Sequence, residues 1–210
     1  MLDRLVWLGH DAFLLRGPPT VYVDPIRVEA GPAAELILIT HGHYDHCSPA
    51  DIANVATPET VVLCPSDCAT CLKGLAGEVK IMEPGTRVSL LGMEVEAMPA
   101  YTRRRRLHGR ANGWLGYRLR RKSESLYHAG DTDYIVEMQE VAADVACLPV
   151  SGGTVMTAVE AAAAADCIGP GVALPMHYGM FVGESEDARA FRERANVPVH
   201  ILEPQLAAEA

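Results

Sequence analysis

The sequence His-Gly-His-Tyr-Asp-His at residues 41–46 constrains this chain more than any other stretch, because four of its six side chains can bind a metal ion. The apolar run 36–40 before it predicts a buried strand, and Ser48-Pro49 after it is typical of a helix start. The four metal-binding side chains therefore lie in a tight loop at the carboxyl end of a strand, where a rigid scaffold commonly carries a functional site.

The spacing within this loop separates its four candidate ligands into two pairs. His41 and His43 occupy alternate positions and can turn both imidazoles toward one ion, whereas Asp45 and His46 point toward a second ion nearby. Imidazole and carboxylate ligands suit zinc, manganese, iron or nickel better than calcium. We therefore expect one or two divalent transition metals, with zinc as the first choice and the other three as alternatives.

The order of the strand and helix signals predicts an α/β fold. Short apolar runs at the start of the chain predict an antiparallel meander of three strands, and from residue 36 onward strands alternate with helices. Two sequential groups of strands, with helices between the later ones, predict two sheets flanked by helices. No linker or internal repeat divides the 210 residues, so we expect a single domain over residues 1–210.

The charge and composition narrow the range of partners. A net charge of −9 argues against nucleic-acid or membrane binding, although residues 97–123 hold nine Lys and Arg and no Asp or Glu. No apolar run reaches the length of a membrane span, and the start of the chain lacks a signal-peptide layout, so we expect a cytoplasmic protein. Its six cysteines are then free thiols. The edges of the predicted sheets leave a homo-oligomer open.

Two later segments extend the ligand pattern of the hexapeptide. Residues 129–133 read Ala-Gly-Asp-Thr-Asp and residues 175–177 read Pro-Met-His, each after a predicted strand. Together with the hexapeptide, they resemble the signature of the metallo-β-lactamase-fold hydrolases. The resemblance implies an αββα sandwich, with two mixed β-sheets flanked by helices and a metal site at one edge of both sheets. It also implies that Asp131 bridges two metals and that His177 joins Asp45 and His46 around the second.

The third ligand of the first metal is where the chain departs from that family. The family has a His after the strand predicted at residues 93–98, but this chain has Pro99-Ala100-Tyr101 there and no His before His108. The chain more closely resembles a subgroup of small hydrolases that carry Pro-Ala-Tyr, then a His, then Asn-Gly-Trp-x-Gly-Tyr, as residues 112–117 do here. We take His108 as the candidate third ligand. His10, at the end of the first predicted strand, is the alternative.

Several other polar residues are candidates for supporting roles. Asp24 can accept the second ring N–H of a metal-bound His, although an ordinary Asp-Pro turn explains it equally well. His128 and Asp133 are expected to be neighbours of the ligands. Three closely spaced thiols could bind zinc or respond to oxidants, but we favour buried, inert cysteines. These thiols are Cys64, Cys68 and Cys71.

These residues predict a metal-dependent hydrolase. A metal-activated water or hydroxide attacks an ester, lactone or phosphodiester, and the metal stabilises the negative charge that develops on the substrate. Asp45 or Asp131 orients the nucleophile and accepts its proton. His108, His10 or Tyr101 protonates the leaving group or stabilises an oxyanion.

A run of arginines bears on the identity of the substrate. The run can bind phosphate or carboxylate groups of a small, anionic substrate, and a solvated basic loop is the competing interpretation. Two other functional classes stay open. One is an iron-dependent oxidoreductase on the same fold that acts on thiol or persulfide substrates, and the other is a non-catalytic anion-binding module. The arginines are Arg103, Arg104, Arg105 and Arg106.

Overall fold

The computed structural model describes residues 1–103, 106–205 and 207. Within these residues the chain forms two compact units, each built on one six-stranded mixed sheet. The first unit comprises residues 2–83 with the described part of 203–210, and the second comprises residue 1 with the described part of 84–202. The expectation of a single domain over residues 1–210 stays a prediction.

In the first unit, six strands follow one another across the sheet in chain order. The first three pair antiparallel, as the predicted meander requires, and the third to sixth pair parallel. Helices α1 (Pro49–Val55) and α2 (Ala69–Leu72) connect the last three strands, and a 3₁₀ helix (Leu2–Arg4) precedes the first. The strands are β1 Leu5–Gly9, β2 Ala12–Leu15, β3 Val21–Val23, β4 Leu36–Leu38, β5 Val61–Cys64 and β6 Glu78–Ile81.

The central strand β4 explains where the hexapeptide lies. All three of its residues are fully buried, which is why the sequence before residue 41 is continuously apolar instead of alternating. Strands β3 and β4 run parallel, so their carboxyl ends meet at the same edge of the sheet. That edge therefore carries Asp24 after β3 and the hexapeptide after β4.

In the second unit, six further strands again follow chain order. The first four pair antiparallel and the last three pair parallel. Helices α3 (Ala158–Ile168) and α4 (Ser185–Arg194) pack against each other and against this sheet, and three 3₁₀ helices lie at Arg106–His108, Arg110–Asn112 and Val136–Glu140. The strands are β7 Arg87–Leu90, β8 Met93–Pro99, β9 Leu115–Arg121, β10 Glu124–His128, β11 Val145–Pro149 and β12 Val172–Met176.

The last predicted strand, at residues 199–201, is reduced to one parallel bridge between Ala173 and Val199. Ala173 donates to the carbonyl of Pro198 and accepts from the N–H of His200. Alternate residues of β12 bond toward this segment, and the next one after Ala173 is Pro175, which has no N–H to extend the ladder. Among the residues that the structure describes, no helix is both long and apolar enough to cross a membrane.

Helix α3 begins with a capping box that gives a first testable prediction. The hydroxyl of Thr157 accepts from the N–H of Glu160 at 3.3 Å, and the Glu160 carboxylate accepts from the N–H of Thr157 at 2.9 Å. We expect Thr157→Ala to destabilise the protein by about 1 kcal/mol, because it removes the side-chain cap. Thermal unfolding should then occur roughly 2–4 °C lower. Thr157→Ser should keep the wild-type midpoint, and an equal loss in both variants would rule out the cap as the cause.

Candidate metal centre

His41 and His43 present ring nitrogens to each other in the first unit. The Thr40 hydroxyl donates to the carboxylate of Asp24, so its free lone pair accepts the Nδ1–H of His41 at 3.0 Å. His41 consequently keeps a lone pair on Nε2, and this atom lies 2.9 Å from Nδ1 of His43. Two ring nitrogens this close, one of them fixed as a lone-pair donor, are suited to binding a single ion.

His46 is oriented by a fully buried carboxylate. Its Nδ1 lies 2.9 Å from Oδ2 of Asp24, and because a carboxylate only accepts, this nitrogen carries the proton. The other ring nitrogen, Nε2, is then a lone-pair donor, as in the carboxylate–histidine pairs of metal sites. Asp24 also accepts the backbone N–H of Thr40 at 2.8 Å, which fixes the carboxylate itself. The structure thus places Asp24 in the supporting position expected from the sequence.

His10 lies beside Asp45 and His46. Its Nε2 is 3.2 Å from Oδ2 of Asp45, and its ring centroid is 5.1 Å from that of His46. The His10 ring is fully buried, and Trp7 donates its indole N–H to the His10 carbonyl at 2.8 Å. Burial favours a higher pKa for Asp45, but the hydrogen bond from His10 and the nearby His46 outweigh it, so the pKa of Asp45 lies below its ordinary value.

This geometry gives a prediction that separates positioning by His10 from ligation. A glutamine side chain can place an N–H near the position of histidine Nε2, but an alanine cannot. We expect His10→Ala to weaken metal binding by roughly 10–100-fold, the usual effect of removing a partner of a ligand, and His10→Gln to recover most of that loss. Competition with a chromophoric chelator measures both affinities. Equal loss in both variants would make His10 a ligand, and no loss in either would make the contact incidental.

In the second unit, the two oxygens of Asp131 face two different imidazoles. Oδ1 lies 3.3 Å from Nε2 of His177, and Oδ2 lies 3.7 Å from Nδ1 of His108. All three side chains are buried. A carboxylate with this arrangement is suited to bridging two ions, each of which has one of the two histidines as a further ligand. His108 and His177 therefore face different oxygens of one carboxylate.

His177 is fixed by its backbone and by a hydroxyl. It follows β12 with φ of +60°, a left-handed conformation that is uncommon for a residue with a side chain and is often found at functional sites. Its Nδ1 lies 2.8 Å from Oγ of Ser151, which follows the neighbouring parallel strand β11. The Ser151 contact leaves Nε2 directed at Asp131.

The neighbours expected around Asp131 support the loops. The Nδ1 of His128 accepts the N–H of Gly130 at 3.3 Å. The carboxylate of Asp133 accepts the N–H of Arg103 at 2.8 Å, and the Asp133 N–H donates to the carbonyl of Tyr101 at 3.0 Å. These bonds join the loop after β8 to the loop that carries Asp131.

The Tyr101 hydroxyl is hydrogen-bonded to an acidic neighbour. It donates to Glu137 at 3.0 Å, and Arg110 binds the other oxygen of Glu137 at 2.9 Å while lying over the Tyr101 ring. Burial and then the bond to Glu137 raise the pKa of Tyr101, so the phenol stays protonated. Arg103, the first residue of the predicted arginine run, is exposed. Arg106, the last residue of the run, begins the 3₁₀ helix Arg106–His108. Arg104 and Arg105 lie outside the described residues.

Three residues at the candidate site were missed from the sequence: Asp11, Thr40 and Ser151. Asp11 is fully buried, with Oδ2 3.8 Å from Nδ1 of His46, and it directly follows His10. Thr40 directly precedes the hexapeptide. Because Asp11 and Thr40 each adjoin a predicted site residue, the local sequence could have indicated both. Ser151 is 26 residues from its partner His177, and only the parallel pairing of β11 with β12 brings them together.

The cysteines beside the hexapeptide form a thiol group of their own. The Sγ atoms of Cys47 and Cys71 are 3.8 Å apart, and Cys71 donates to the carbonyl of Cys68 at 3.1 Å. Burial is the first cause that raises the pKa of Cys64 to about 12, so that thiol stays protonated. The structure records all six cysteines as free.

The donor sets of both units fit a divalent transition metal. Each unit supplies imidazole nitrogens and a carboxylate, the ligand types that zinc, iron and manganese accept. Asp24 and Ser151 lie within hydrogen-bond distance of the second ring nitrogens of His46 and His177. A metal-bound histidine usually has a hydrogen-bond partner at this nitrogen.

Comparison with known proteins gives relatives along almost the whole chain. The family described as beta-lactamase superfamily domain matches residues 4–177. A UPF0173 metal-dependent hydrolase from Thermoplasma acidophilum is 32% identical over 218 residues, which cover 97% of this chain and 96% of that relative.

Solved structures share the fold. A Parabacteroides distasonis protein proposed to be a metal-dependent hydrolase has a TM-score of 0.81 at 30% identity, covering 96% of this chain and 93% of that one. CmlA, a diiron beta-hydroxylase from Streptomyces venezuelae, has a TM-score of 0.78 at 17% identity and covers 95% of this chain and 52% of that one, a likeness of fold alone. The predicted α/β class, with two mixed sheets flanked by helices, is thereby confirmed.

Proposed function

Since the chain belongs to the beta-lactamase superfamily and is a metal-dependent hydrolase, we propose that it holds two divalent ions, zinc as first choice, and hydrolyses a small-molecule ester, lactone or phosphodiester. Asp131 would be a ligand of both ions. His41, His43 and His108 would hold the first ion, and Asp45, His46 and His177 would hold the second. His10 is assigned to positioning Asp45 and not to ligation.

One observation carries the proposal of two ions. The carboxylate oxygens of Asp131 diverge toward His177 and His108, at 3.3 and 3.7 Å. A carboxylate that directs its two oxygens at two different imidazoles can give one oxygen to each of two ions. The facing nitrogens of His41 and His43 add support, because they supply two ligands to one ion and leave Asp45 and His46 for another.

The residues of the chain supply orientation and proton transfer. When bound, the metal lowers the pKa of a water molecule and withdraws charge from the substrate oxygen. Asp45 is a carboxylate at neutral pH, and its lowered pKa is consistent with this, so it can accept the proton of the attacking water. The same proton then passes to the leaving oxygen, which becomes an alcohol hydroxyl, free from an ester or phosphodiester and still attached to the acid from a lactone. His10 holds Asp45 in place, and Asp24 and Ser151 hold the rings of His46 and His177.

Metal removal and reconstitution test this function. Protein stripped with chelator and reloaded with zinc, manganese or iron is assayed with p-nitrophenyl acetate, dihydrocoumarin and bis(p-nitrophenyl) phosphate. We expect turnover of at least one substrate class to vanish on stripping and return on reloading, and to be absent in His43→Ala. The matched control is His200→Ala, which removes an exposed imidazole.

Three outcomes would contradict the proposal. Turnover that persists without metal, or that survives His43→Ala, would exclude the metal mechanism. Redox-active iron in the purified protein, with oxygen uptake in place of hydrolysis, would favour the oxidoreductase alternative. Anion binding without any turnover, unchanged by metal removal, would favour the non-catalytic module.

A further inference from the structure

The second unit contains a cavity of about 300 Å³ that no step above uses. It lies between the end of β8 and the 3₁₀ helices at Arg110–Asn112 and Val136–Glu140. Two aromatic side chains, two prolines and one ion pair contribute to its lining. These residues are Pro84, Pro99, Tyr101, Trp114, Arg110 and Glu137.

The walls of the cavity are largely apolar and aromatic. Trp114 and Tyr101 both line the cavity, and they are only 9% and 8% exposed. Ala100 also lines it, and its side chain is too small to fill the space. The volume is at the lower end of the range for small-molecule sites, which suits a single ring and excludes a polymer.

The charges in the cavity compensate each other. Arg110 binds one oxygen of Glu137 at 2.9 Å, and the Tyr101 hydroxyl donates to the other at 3.0 Å. The guanidinium of Arg110 also lies over the Tyr101 ring, 5.2 Å from its centroid. A charged group that entered the cavity would have to compete with this ion pair, whereas an uncharged ring could leave it intact.

Two walls of the cavity touch the candidate metal ligands of the same unit. The Trp114 ring stands edge-on to the ring of His108, with centroids 5.0 Å apart. The backbone N–H and carbonyl of Tyr101 both bond to the hydroxyl of Thr132, which directly follows Asp131. Two residues of the cavity lining are therefore in contact with His108 and with the neighbour of Asp131.

We propose that this cavity binds an uncharged planar ring of the substrate, such as the aryl or enol-ether part of an ester or lactone. This inference rests on the proposed hydrolase function, because it treats the ring as part of the molecule that is hydrolysed. It departs from the expectation that the arginine run selects an anionic substrate, because the group held in this cavity is neutral.

Ligand binding tests the cavity without any turnover. Saturation-transfer NMR on the zinc-loaded protein is recorded with 4-methylphenol and with 4-methylbenzoate, two rings of similar size that differ in charge. We expect 4-methylphenol to bind more tightly, and Ala100→Leu, which enlarges a residue of the cavity lining, to weaken its binding about 10-fold. The control is Arg120→Ala, which removes an exposed ion pair with Glu94 elsewhere on this sheet.

The same variants give a second readout through hydrolysis. The ratio of kcat/KM for phenyl acetate to that for methyl acetate should fall about 10-fold in Ala100→Leu and in Trp114→Leu, with unchanged metal content. If Trp114→Leu loses metal because the contact of Trp114 with His108 is removed, Ala100→Leu still tests the cavity proposal.

The outcomes separate the cavity from the hydrolase function. Tighter binding of 4-methylbenzoate, or 4-methylphenol binding that Ala100→Leu leaves unchanged, overturns the cavity proposal while metal-dependent hydrolysis stands. Cavity-dependent binding of 4-methylphenol, with no metal-dependent hydrolysis of any ester, lactone or phosphodiester, overturns the hydrolase function and with it the assignment of the ring to a substrate.

Discussion

Asp131→Ala is expected to leave less than one metal ion per chain and to abolish hydrolysis. The variant removes an oxygen from both proposed ions at once, since the two carboxylate oxygens face His177 and His108 separately. We expect an affinity loss well beyond the roughly 10–100-fold that follows loss of a ligand's hydrogen-bond partner. The same loss should appear in turnover, because the chemistry depends on the bound ions.

Two companion variants make this prediction specific. Asp131→Asn keeps one oxygen of the side chain and should retain about one ion per chain with weak or no turnover. Asp133→Asn changes a carboxylate two residues away that accepts the N–H of Arg103, and it should keep both ions. Elemental analysis of the purified variants gives the counts. A wild-type metal content in Asp131→Ala would show that Asp131 is not a shared ligand of two ions.

Asp24→Ala is expected to lower both stability and metal affinity. The fully buried Asp24 carboxylate accepts the N–H and the hydroxyl of Thr40 and the Nδ1–H of His46. Alanine leaves these three buried donors without their acceptor, so the free energy of unfolding of the metal-free protein should fall by roughly 3–5 kcal/mol. The remaining folded protein should bind metal roughly 10–100-fold more weakly, because the tautomer of His46 is no longer fixed.

Urea unfolding of the stripped protein and chelator competition measure these two effects separately. Asp24→Asn keeps one acceptor oxygen and should fall between wild type and Asp24→Ala in both. Val21→Ala, a substitution in the strand that leads to Asp24, is the control for a purely structural defect: it should lower stability and leave metal affinity unchanged. Unchanged stability and affinity in Asp24→Ala would show that the buried carboxylate supports neither the loop nor His46.

The parts of the site that the sequence predicted are those with a local signal. The hexapeptide at residues 41–46 follows an apolar run, the Gly-Asp-Thr around Asp131 follows a predicted strand, and both lie where a strand with a parallel neighbour ends. Asp24 was predictable for the same reason, since a carboxylate directly after a buried strand shares the edge of the next parallel strand.

The remaining features depend on contacts between distant residues. The Ser151 contact to His177 requires the neighbouring parallel strands β11 and β12, which α3 separates in the chain. The local sequence does not distinguish His10 from His108 as third ligand, and their different neighbours, Asp45 and Asp131, appear only in the fold. The cavity joins Tyr101 to Glu137, 36 residues apart, so nothing in either local sequence indicates it. The shortened strand at residues 199–201 depends on Pro175, in another strand.

The metal content of wild type and His108→Ala, determined by elemental analysis on protein purified without chelator, tests the two-ion account most directly. The account predicts about two ions per chain in the wild type and about one in His108→Ala, because the first ion loses its third ligand while Asp131, Asp45, His46 and His177 still hold the second. Two ions in both proteins would exclude His108 as a ligand, and one ion in both would contradict the two-ion centre itself.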